Sequence, residues 1–216
     1  GFLNPVPDVP GLAPKENIKA WVDRKSFIHN LGHVACAYLG FVSDPGYTYI
    51  YEVLENEQNK TQVRETMLEA AAILLSMYPD VFTMNDLTEH IDNLIDRFEN
   101  RSLKDTVFRV GMDLHRKLGP EDRLAGAIRA GIRAQKPVNR ILYTLVCGTF
   151  FRACDENGDL FEGDEKFIAH FNKGPWHVLK EICGFDDDIH PGLFTAAREY
   201  HDKIALSTGS SMAHGS

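Results

Sequence analysis

The stretch of sequence that most constrains this chain reads Lys25-Ser-Phe-Ile-His-Asn30-Leu-Gly-His33-Val-Ala-Cys-Ala-Tyr-Leu-Gly40. Its large apolar residues recur every three or four positions, the period of a helix buried along one side. The spacing predicts a long apolar helix over residues 23–41, ended by the turn Ser43-Asp-Pro-Gly46. Three polar side chains with chemical potential interrupt this helix, and they are Lys25, Asn30 and His33.

These three side chains are predicted to face one cleft. At about 100° per residue, Asn30 lies about 140° around the helix from Lys25, and His33 about 80°. A lysine that loses its proton, an amide donor and an imidazole are the groups that deprotonate an alcohol and hold its oxygen. The spacing alone fits equally a surface lysine, a locally bonded asparagine and a core histidine.

A second polar segment reads Arg109-Val-Gly-Met-Asp113-Leu-His-Arg116-Lys117-Leu and runs into Pro120-Glu-Asp-Arg-Leu124. If it is one helix, for which Asp105 is the candidate cap, then Arg109, Asp113 and Lys117 stand four residues apart on one face. Taken by itself, this pattern describes a solvated ladder of charges within a helix.

Together and in this order, the two segments resemble the signature of the polyol-specific long-chain dehydrogenases. The similarity continues through Asn139-Arg-Ile-Leu-Tyr143 and covers nearly the whole chain. The resemblance implies an all-α, multi-helical C-terminal substrate domain of an NAD-dependent oxidoreductase that acts on a sugar alcohol phosphate. One departure is Val22, which stands where some members carry a glutamate thought to relay protons.

The resemblance also implies roles for individual residues. Lys25 would be the general acid/base, Asn30 would donate to the developing alkoxide, and His33 would hydrogen-bond the substrate. Arg109 and Lys117 would contact the substrate, and the candidates for an additional phosphate contact are Arg116 and Arg24. A lysine is a useful base at neutral pH only where burial or positive neighbours lower its pKa.

A dinucleotide-binding pattern is missing from this sequence, since no G-x-G-x-x-G follows a strand and no βαβ pattern occurs. We therefore expect residues 1–14 to be a linker from a missing N-terminal Rossmann domain, which would be a partner of this chain and bind NAD. Residues 15–206 would form the helical substrate and catalytic domain. Residues 207–216 are expected to be a disordered or non-native tail.

Composition narrows the function classes. The chain has 216 residues, and 31 acidic against 23 basic residues give a formal net charge of −8. This balance argues against nucleic-acid or anionic-membrane partners. No apolar run approaches membrane-spanning length, and a reducing cytoplasm is expected for a domain whose four cysteines lack metal-ligand spacing. His29 and His33 have the i, i+4 spacing of helical metal ligands but lack a third ligand, so no metal is expected.

Helical periodicity extends through the rest of the chain, and we find no alternating strand pattern. Further helices are predicted after Asn17 as N-cap and over 47–54, 60–78, 84–99, 121–134, 137–153, 164–171, 175–183 and 191–206. The alternatives left open are a free-polyol dehydrogenase, a hexuronate reductase of the same family, or a helical binding module without catalysis.

Overall fold

The computed structural model describes residues 17–212, with side-chain surroundings up to residue 208. Within this range the all-α prediction is confirmed. The one β feature there is an isolated antiparallel bridge between Tyr49 and Thr106. The linker predicted over residues 1–14 lies outside the described residues.

Twelve α-helices follow one another in the described range. Their bounds are α1 Ile18–Arg24, α2 Leu31–Ser43, α3 Ile50–Glu55, α4 Glu57–Met77, α5 Met84–Phe98, α6 Val107–Gly111, α7 Leu114–Lys117, α8 Ala125–Arg133, α9 Asn139–Thr149, α10 Asp164–Phe171, α11 Pro175–Glu181 and α12 Pro191–Met212. A π-helical turn, Lys25–Asn30, joins α1 to α2, and a 3-10 turn, Arg101–Leu103, follows α5.

Helix α2 lies at the centre of the domain and packs against α3, α4, α6 and α9. Every residue over 31–40 is buried except His33, which is half-buried. Gly32 allows α4 to approach closely, because a Cβ there would lie 2.5 Å from the Met67 Sδ atom. The apolar residues of α2 therefore form the centre of the core, and His33 is the residue within 31–40 that remains partly accessible to solvent.

Local sequence accounts well for several helix ends. Asn17 caps α1 as predicted, with its Oδ1 atom accepting from the Ala20 N–H at 3.4 Å. Helix α5 begins with a capping box in which Thr83 and Asp86 satisfy each other's backbone N–H groups. Such caps depend on residues close in sequence, which is why they can be recognised without a structure.

The predicted single helix over 23–41 is wrong in one respect, since the Lys25–Asn30 segment is a π-turn. The Leu31 N–H donates to the carbonyl of Ser26, five residues back. One extra residue in the turn brings Asn30 closer beneath Lys25 than the spacing of a regular α-helix would. Single π-turns of this kind occur frequently at functional sites.

The predicted helix carrying Arg109 and Lys117 is also wrong, because two short helices, α6 and α7, replace it. Thr106 caps α6 by accepting from the Arg109 N–H at 3.1 Å, and the side chain of Asp105 does not. The helical backbone is interrupted before α7 at Asp113, whose φ of 68° lies in the left-handed region.

Contacts from distant residues explain this break. The Tyr38 hydroxyl donates to the Gly111 carbonyl at 3.1 Å, which leaves that carbonyl engaged outside the helix. A Cβ at residue 111 would lie 2.2 Å from the Phe151 ring, so this position is held as glycine. The Asp164 carboxylate accepts from the Leu114 N–H at 2.7 Å. A residue remote in sequence therefore caps the first turn of α7.

Other helix ends differ by a few residues from the prediction. Helix α3 begins at Ile50 because Tyr49 takes part in the β-bridge. Helix α12 continues to Met212, beyond the predicted end at residue 206 and into the predicted tail. The hydroxyls of Ser207 and Thr208 bond back to the Ile204 carbonyl at 2.8 and 2.9 Å, as such residues do inside helices.

Candidate active site

Lys25 is exposed at the first position of the π-turn. Two apolar side chains of α1 near it, Ile18 and Val22, are also exposed, at 68% and 58%. The positive charge of Lys25 reaches His29 and contributes to lowering the pKa of that imidazole, after burial and Arg97. Lys25 therefore borders a cluster of imidazoles and presents its ammonium group at the surface of the domain.

His33 lies at the base of this cluster. Its ring stacks on Phe98, with ring centroids 4.8 Å apart, and its Nε2 atom is buried 3.2 Å from Oδ2 of Asp105. That separation is short enough for an ion pair, but the direction does not satisfy a hydrogen bond. Among the described residues, Nε2 thus has a carboxylate neighbour and no completed hydrogen bond.

The imidazole of His33 is neutral at pH 7. Burial is the main cause that lowers its pKa to about 4. The positive surroundings add to the shift in the order His29, Arg109, Lys117 and Arg123. A neutral imidazole has one N–H donor and one acceptor nitrogen, which suits it to hydrogen-bond a hydroxyl group.

Arg109 is joined to the first motif through Asp105. Its guanidinium forms an ion pair with Oδ1 of Asp105, while Oδ2 of the same carboxylate faces His33. Arg109 is otherwise open, with 62% of its side chain exposed. The structure thus brings one predicted residue from each motif, Arg109 and His33, to a single aspartate that the sequence analysis considered only as a helix cap.

Lys117 is buried, unlike Lys25. Its Nζ atom donates to the carbonyl of Val110 at 2.7 Å, which ties the end of α7 back to α6. Burial, followed by the charges of Arg123 and Arg116, lowers its pKa to about 8. Titratable groups perturbed in this way cluster at functional sites, so the second motif contributes more than a solvated charge ladder.

Arg123 is the residue of this cluster that the sequence analysis did not single out. Its Nη1 atom approaches the carbonyl of Asn30, in the π-turn, at 3.5 Å, and its Nε atom donates to Asp122 at 2.6 Å. Its positive charge acts on both His33 and Lys117. The only sequence signal was its place in Pro120-Glu-Asp-Arg-Leu124, because no spacing rule relates residue 123 to residue 30.

The two candidates for extra phosphate contacts lie in different surroundings. Arg116 pairs with Asp113 and approaches Asp122 at 3.8 Å, beside the second motif. Arg24 lies over the Trp21 ring at 4.4 Å and near Phe82. None of the contacts found for Arg24 is with the second motif, so the structure does not bring it together with Arg109 and Lys117.

The largest cavity found does not coincide with these residues. It has a volume of about 670 Å³ and lies at the far end of α2, lined in part by Leu39, Phe41, Tyr143 and Arg152. A large pocket is the usual first candidate for a ligand site. We favour the motif cluster instead, because polar groups with shifted pKa values converge there.

Over the described part of the chain, no set of three or more histidine, cysteine, aspartate or glutamate residues is placed to hold a metal ion. In the same residues, none of the helices combines the length and the apolar character needed to cross a bilayer.

Fold and motifs together define an all-helical domain of the polyol dehydrogenase class. A family model described as the mannitol dehydrogenase C-terminal domain matches residues 17–182. The chain belongs to this family, which confirms the resemblance drawn from the two motifs.

A solved structure shares this fold. It is Pseudomonas fluorescens mannitol 2-dehydrogenase in a ternary complex with NAD and D-mannitol, which superimposes with a TM-score of 0.68 at 19% sequence identity. The match covers 93% of this chain and 42% of the solved chain. This chain thus spans less than half the length of that dehydrogenase.

Proposed function

We propose that this chain is the catalytic and substrate-binding C-terminal domain of an NAD-dependent polyol dehydrogenase. The reaction would be the interconversion of mannitol 1-phosphate and fructose 6-phosphate, the activity of a mannitol-1-phosphate 5-dehydrogenase. The observation that carries the proposal is the meeting of both motifs at Asp105, with His33 on one carboxylate oxygen and Arg109 on the other. Membership of the mannitol dehydrogenase family supports the reaction class.

In this proposal each residue has a distinct task. Lys25 removes the hydroxyl proton of the polyol at Nζ during oxidation and returns it during reduction. Asn30 donates to the oxygen as negative charge develops there, a contact worth on the order of 3 kcal/mol in comparable sites. The neutral imidazole of His33 hydrogen-bonds the substrate and fixes its orientation.

A second domain has to complete this site. Lys25 and the apolar pair of α1 beside it are exposed, so the chain by itself does not exclude water from the base. The described residues contain no strand, glycine-rich loop and helix of the kind that holds dinucleotide phosphates. Bound NAD would accept the hydride from the carbinol carbon, and its own domain would supply most of its contacts.

The phosphate preference rests on the cations of the second motif and its continuation to Leu124. Arg109, Arg116 and Arg123 each have an aspartate partner, whereas Lys117 bonds a backbone carbonyl. A phosphate would therefore have to share or displace carboxylates that already neutralise part of this charge. Arginine suits this exchange because its planar fork can bind phosphate in a bidentate manner.

The test is a substrate panel on the full-length enzyme with NAD and with NADP. Mannitol 1-phosphate should be preferred to mannitol, and the variants Arg109→Gln, Lys117→Gln, Arg116→Gln and Arg24→Gln should each be compared with both substrates. A lost phosphate contact raises the KM for mannitol 1-phosphate much more than the KM for mannitol. Arg64→Gln is the matched control, since Arg64 forms its ion pair with Asp92, a residue of neither motif.

A free-polyol dehydrogenase is the second candidate, favoured by the solved relative, which is a mannitol 2-dehydrogenase bound to D-mannitol. It replaces the first candidate if wild type prefers mannitol, or if every charge variant affects both substrates equally. A hexuronate reductase would show itself in the same panel through activity on a hexuronate. If no polyol or hexuronate is turned over, the remaining alternative is a helical binding module.

A further inference from the structure

Asp105 occupies a distinctive position between the two motifs. Its side chain is only 18% exposed, and each carboxylate oxygen faces a different candidate site residue. Oδ1 pairs with the Arg109 guanidinium, and Oδ2 lies 3.2 Å from Nε2 of His33.

The backbone of Asp105 is held firmly in place. Its carbonyl accepts from the Ile50 N–H at 2.9 Å, and the Val107 N–H donates to the Thr48 carbonyl at 2.9 Å. These two bonds form the antiparallel bridge between the start of α3 and the start of α6. The carboxylate is therefore carried on a tethered segment, which favours a fixed position over a surface charge that moves freely.

This placement has a consequence for the proton of the imidazole. A carboxylate paired with an arginine is an acceptor only, so the ring nitrogen that faces it has to carry the hydrogen. His33 then has its proton on Nε2, and Nδ1 carries the lone pair. The imidazole would then offer an acceptor to a substrate hydroxyl other than the one that is oxidised, which keeps its own proton for the base.

We propose that Asp105 is a positioning residue of this site, which sets the orientation of Arg109 and selects the Nε2–H form of His33. The inference rests on the proposed polyol chemistry for its functional meaning. The 3.2 Å contact lies off the direction of a hydrogen bond, and such bonds are commonly long or misaligned before substrate binds. Asp105 acts through His33 and Arg109, in the way that an aspartate orients a catalytic histidine in a hydrolase triad.

The first test measures the tautomer directly. Nitrogen NMR of the histidine-labelled 216-residue chain, with His33 assigned by comparison with His33→Gln, should show the proton on Nε2 at pH 7. Asp105→Ala and Asp105→Asn should lose this preference, because neither an alanine methyl nor an amide, which also has donors, forces the proton onto the facing nitrogen. Asp92→Asn is the matched control, since it removes an aspartate–arginine ion pair elsewhere on the domain and should change nothing.

The second test is kinetic and uses the full-length enzyme. Both Asp105 variants should lower kcat/KM for the polyol by about 10²-fold, the scale of a small displacement in a site. Arg109→Gln, which keeps the carboxylate, should mainly raise KM and leave the His33 tautomer unchanged. Folding of each variant is checked by circular dichroism and thermal unfolding before either measurement.

The two tests separate this inference from the proposed function. If wild type turns over polyols but His33 carries its proton on Nδ1, or keeps Nε2–H in both Asp105 variants, the positioning role is wrong and the function stands. If the tautomer depends on Asp105 while no polyol is turned over, the proposed function fails and the structural role of Asp105 remains.

Discussion

The two lysines implied by the family resemblance differ sharply in their surroundings. Lys25 is exposed at the start of the π-turn, whereas Lys117 is buried and donates to the carbonyl of Val110. Burial and neighbouring arginines lower the pKa of Lys117 to about 8. The two lysines thus differ before any substrate binds, since Lys117 is already packed within this domain and Lys25 is open at its surface.

This difference indicates that the two lysines contribute differently to the folding of the domain and to the reaction. The second motif and Arg123 bring four cations together within this domain, three of them paired with aspartates and the fourth, Lys117, bonded to a backbone carbonyl. The first motif places Lys25 at an edge that a second domain is expected to cover. Replacing Lys25 should then affect the reaction with little effect on folding, and replacing Lys117 should affect folding as well.

The largest effect is expected for Lys25→Ala in the full-length enzyme. A positioned general base typically contributes about 10²–10⁴-fold, so kcat should fall by this factor while KM changes little. Because Lys25 is exposed, the unfolding free energy should stay within about 0.5 kcal/mol of wild type. The measurement is steady-state kinetics with denaturant unfolding, and partial rescue by added primary amines would support the assignment.

Lys136→Ala serves as the control for this variant, since Lys136 is an exposed lysine outside both motifs. A Lys25→Ala enzyme with nearly normal kcat would remove Lys25 from the mechanism, and a large loss of stability would contradict the contrast between the two lysines.

The next effect concerns Lys117→Met, which we expect to stabilise the domain by about 1–2 kcal/mol at pH 7. Burying the charged ammonium group destabilises the folded domain. Removing it should stabilise that state by more than the loss of the hydrogen bond to Val110 destabilises it. Lys25→Met, at the exposed position, should be neutral. Urea unfolding of both variants at pH 7 is the measurement, and a clearly destabilised Lys117→Met would show that the Val110 bond dominates.

The same variant predicts a pH dependence with a definite sign. Lys117 loses its proton near pH 8 in the folded chain but only near pH 10.5 when unfolded, so the unfolded chain binds more protons between these values. Wild-type stability should therefore rise through this window relative to Lys117→Met. A stability difference that stays constant from pH 7 to 10.5 would mean that Lys117 is not perturbed.

An effect of similar size is expected for His33 on the acid side, because its pKa is displaced about as far from the usual value as that of Lys117. Its pKa is about 4 when folded and 6.5 when unfolded, so the unfolded chain takes up the proton first as the pH falls. This contribution to stability is present above pH 6.5 and is lost progressively towards pH 4. His29 and His90 also have lowered pKa values, so the measurement is the difference between wild type and His33→Gln across this range. A difference that does not change with pH would contradict the account.

The smallest effect is expected for Arg123→Gln. Burial is the main cause that lowers the pKa of Lys117, and the positive charge of Arg123 is the next largest cause. Removing that charge should therefore raise the pKa towards the usual lysine value. The pH range between the folded and unfolded pKa values of Lys117, over which stability rises, should therefore become narrower by a fraction of a pH unit. Arg133→Gln, an exposed arginine at the end of α8, is the matched control and should leave the window unchanged.

Sequence periodicity was sufficient to predict the all-α class and most helices. Helix α5 shows why, since its buried residues keep the helical period and its Thr83 cap is local. The break at Asp113 could not be predicted in this way, because it depends on Tyr38 and Asp164, which are remote in sequence. Long-range contacts of this kind leave no mark in the local pattern.

The candidate site shows the same difference between features that local sequence predicts and features that depend on long-range contacts. Lys25, His33, Arg109 and Lys117 were recognised from their motifs, and their roles remain predictions. The π-turn changes the angle between Lys25 and Asn30, but its backbone geometry has no composition signature. Asp105 pairs locally with Arg109, but its approach to His33 joins residues far apart in the chain, as does the approach of Arg123 to Asn30, so sequence alone did not identify these two residues as parts of the site.

The most direct test of this account compares two forms of the protein under identical conditions. The production of NADH from mannitol 1-phosphate is followed with the 216-residue chain alone and with the enzyme that includes its dinucleotide-binding domain. We expect no turnover by the chain alone and robust turnover by the complete enzyme, because the exposed Lys25 needs a second domain to exclude water from it. Turnover by the 216-residue chain alone, or none by the complete enzyme with any polyol, would contradict the central claim.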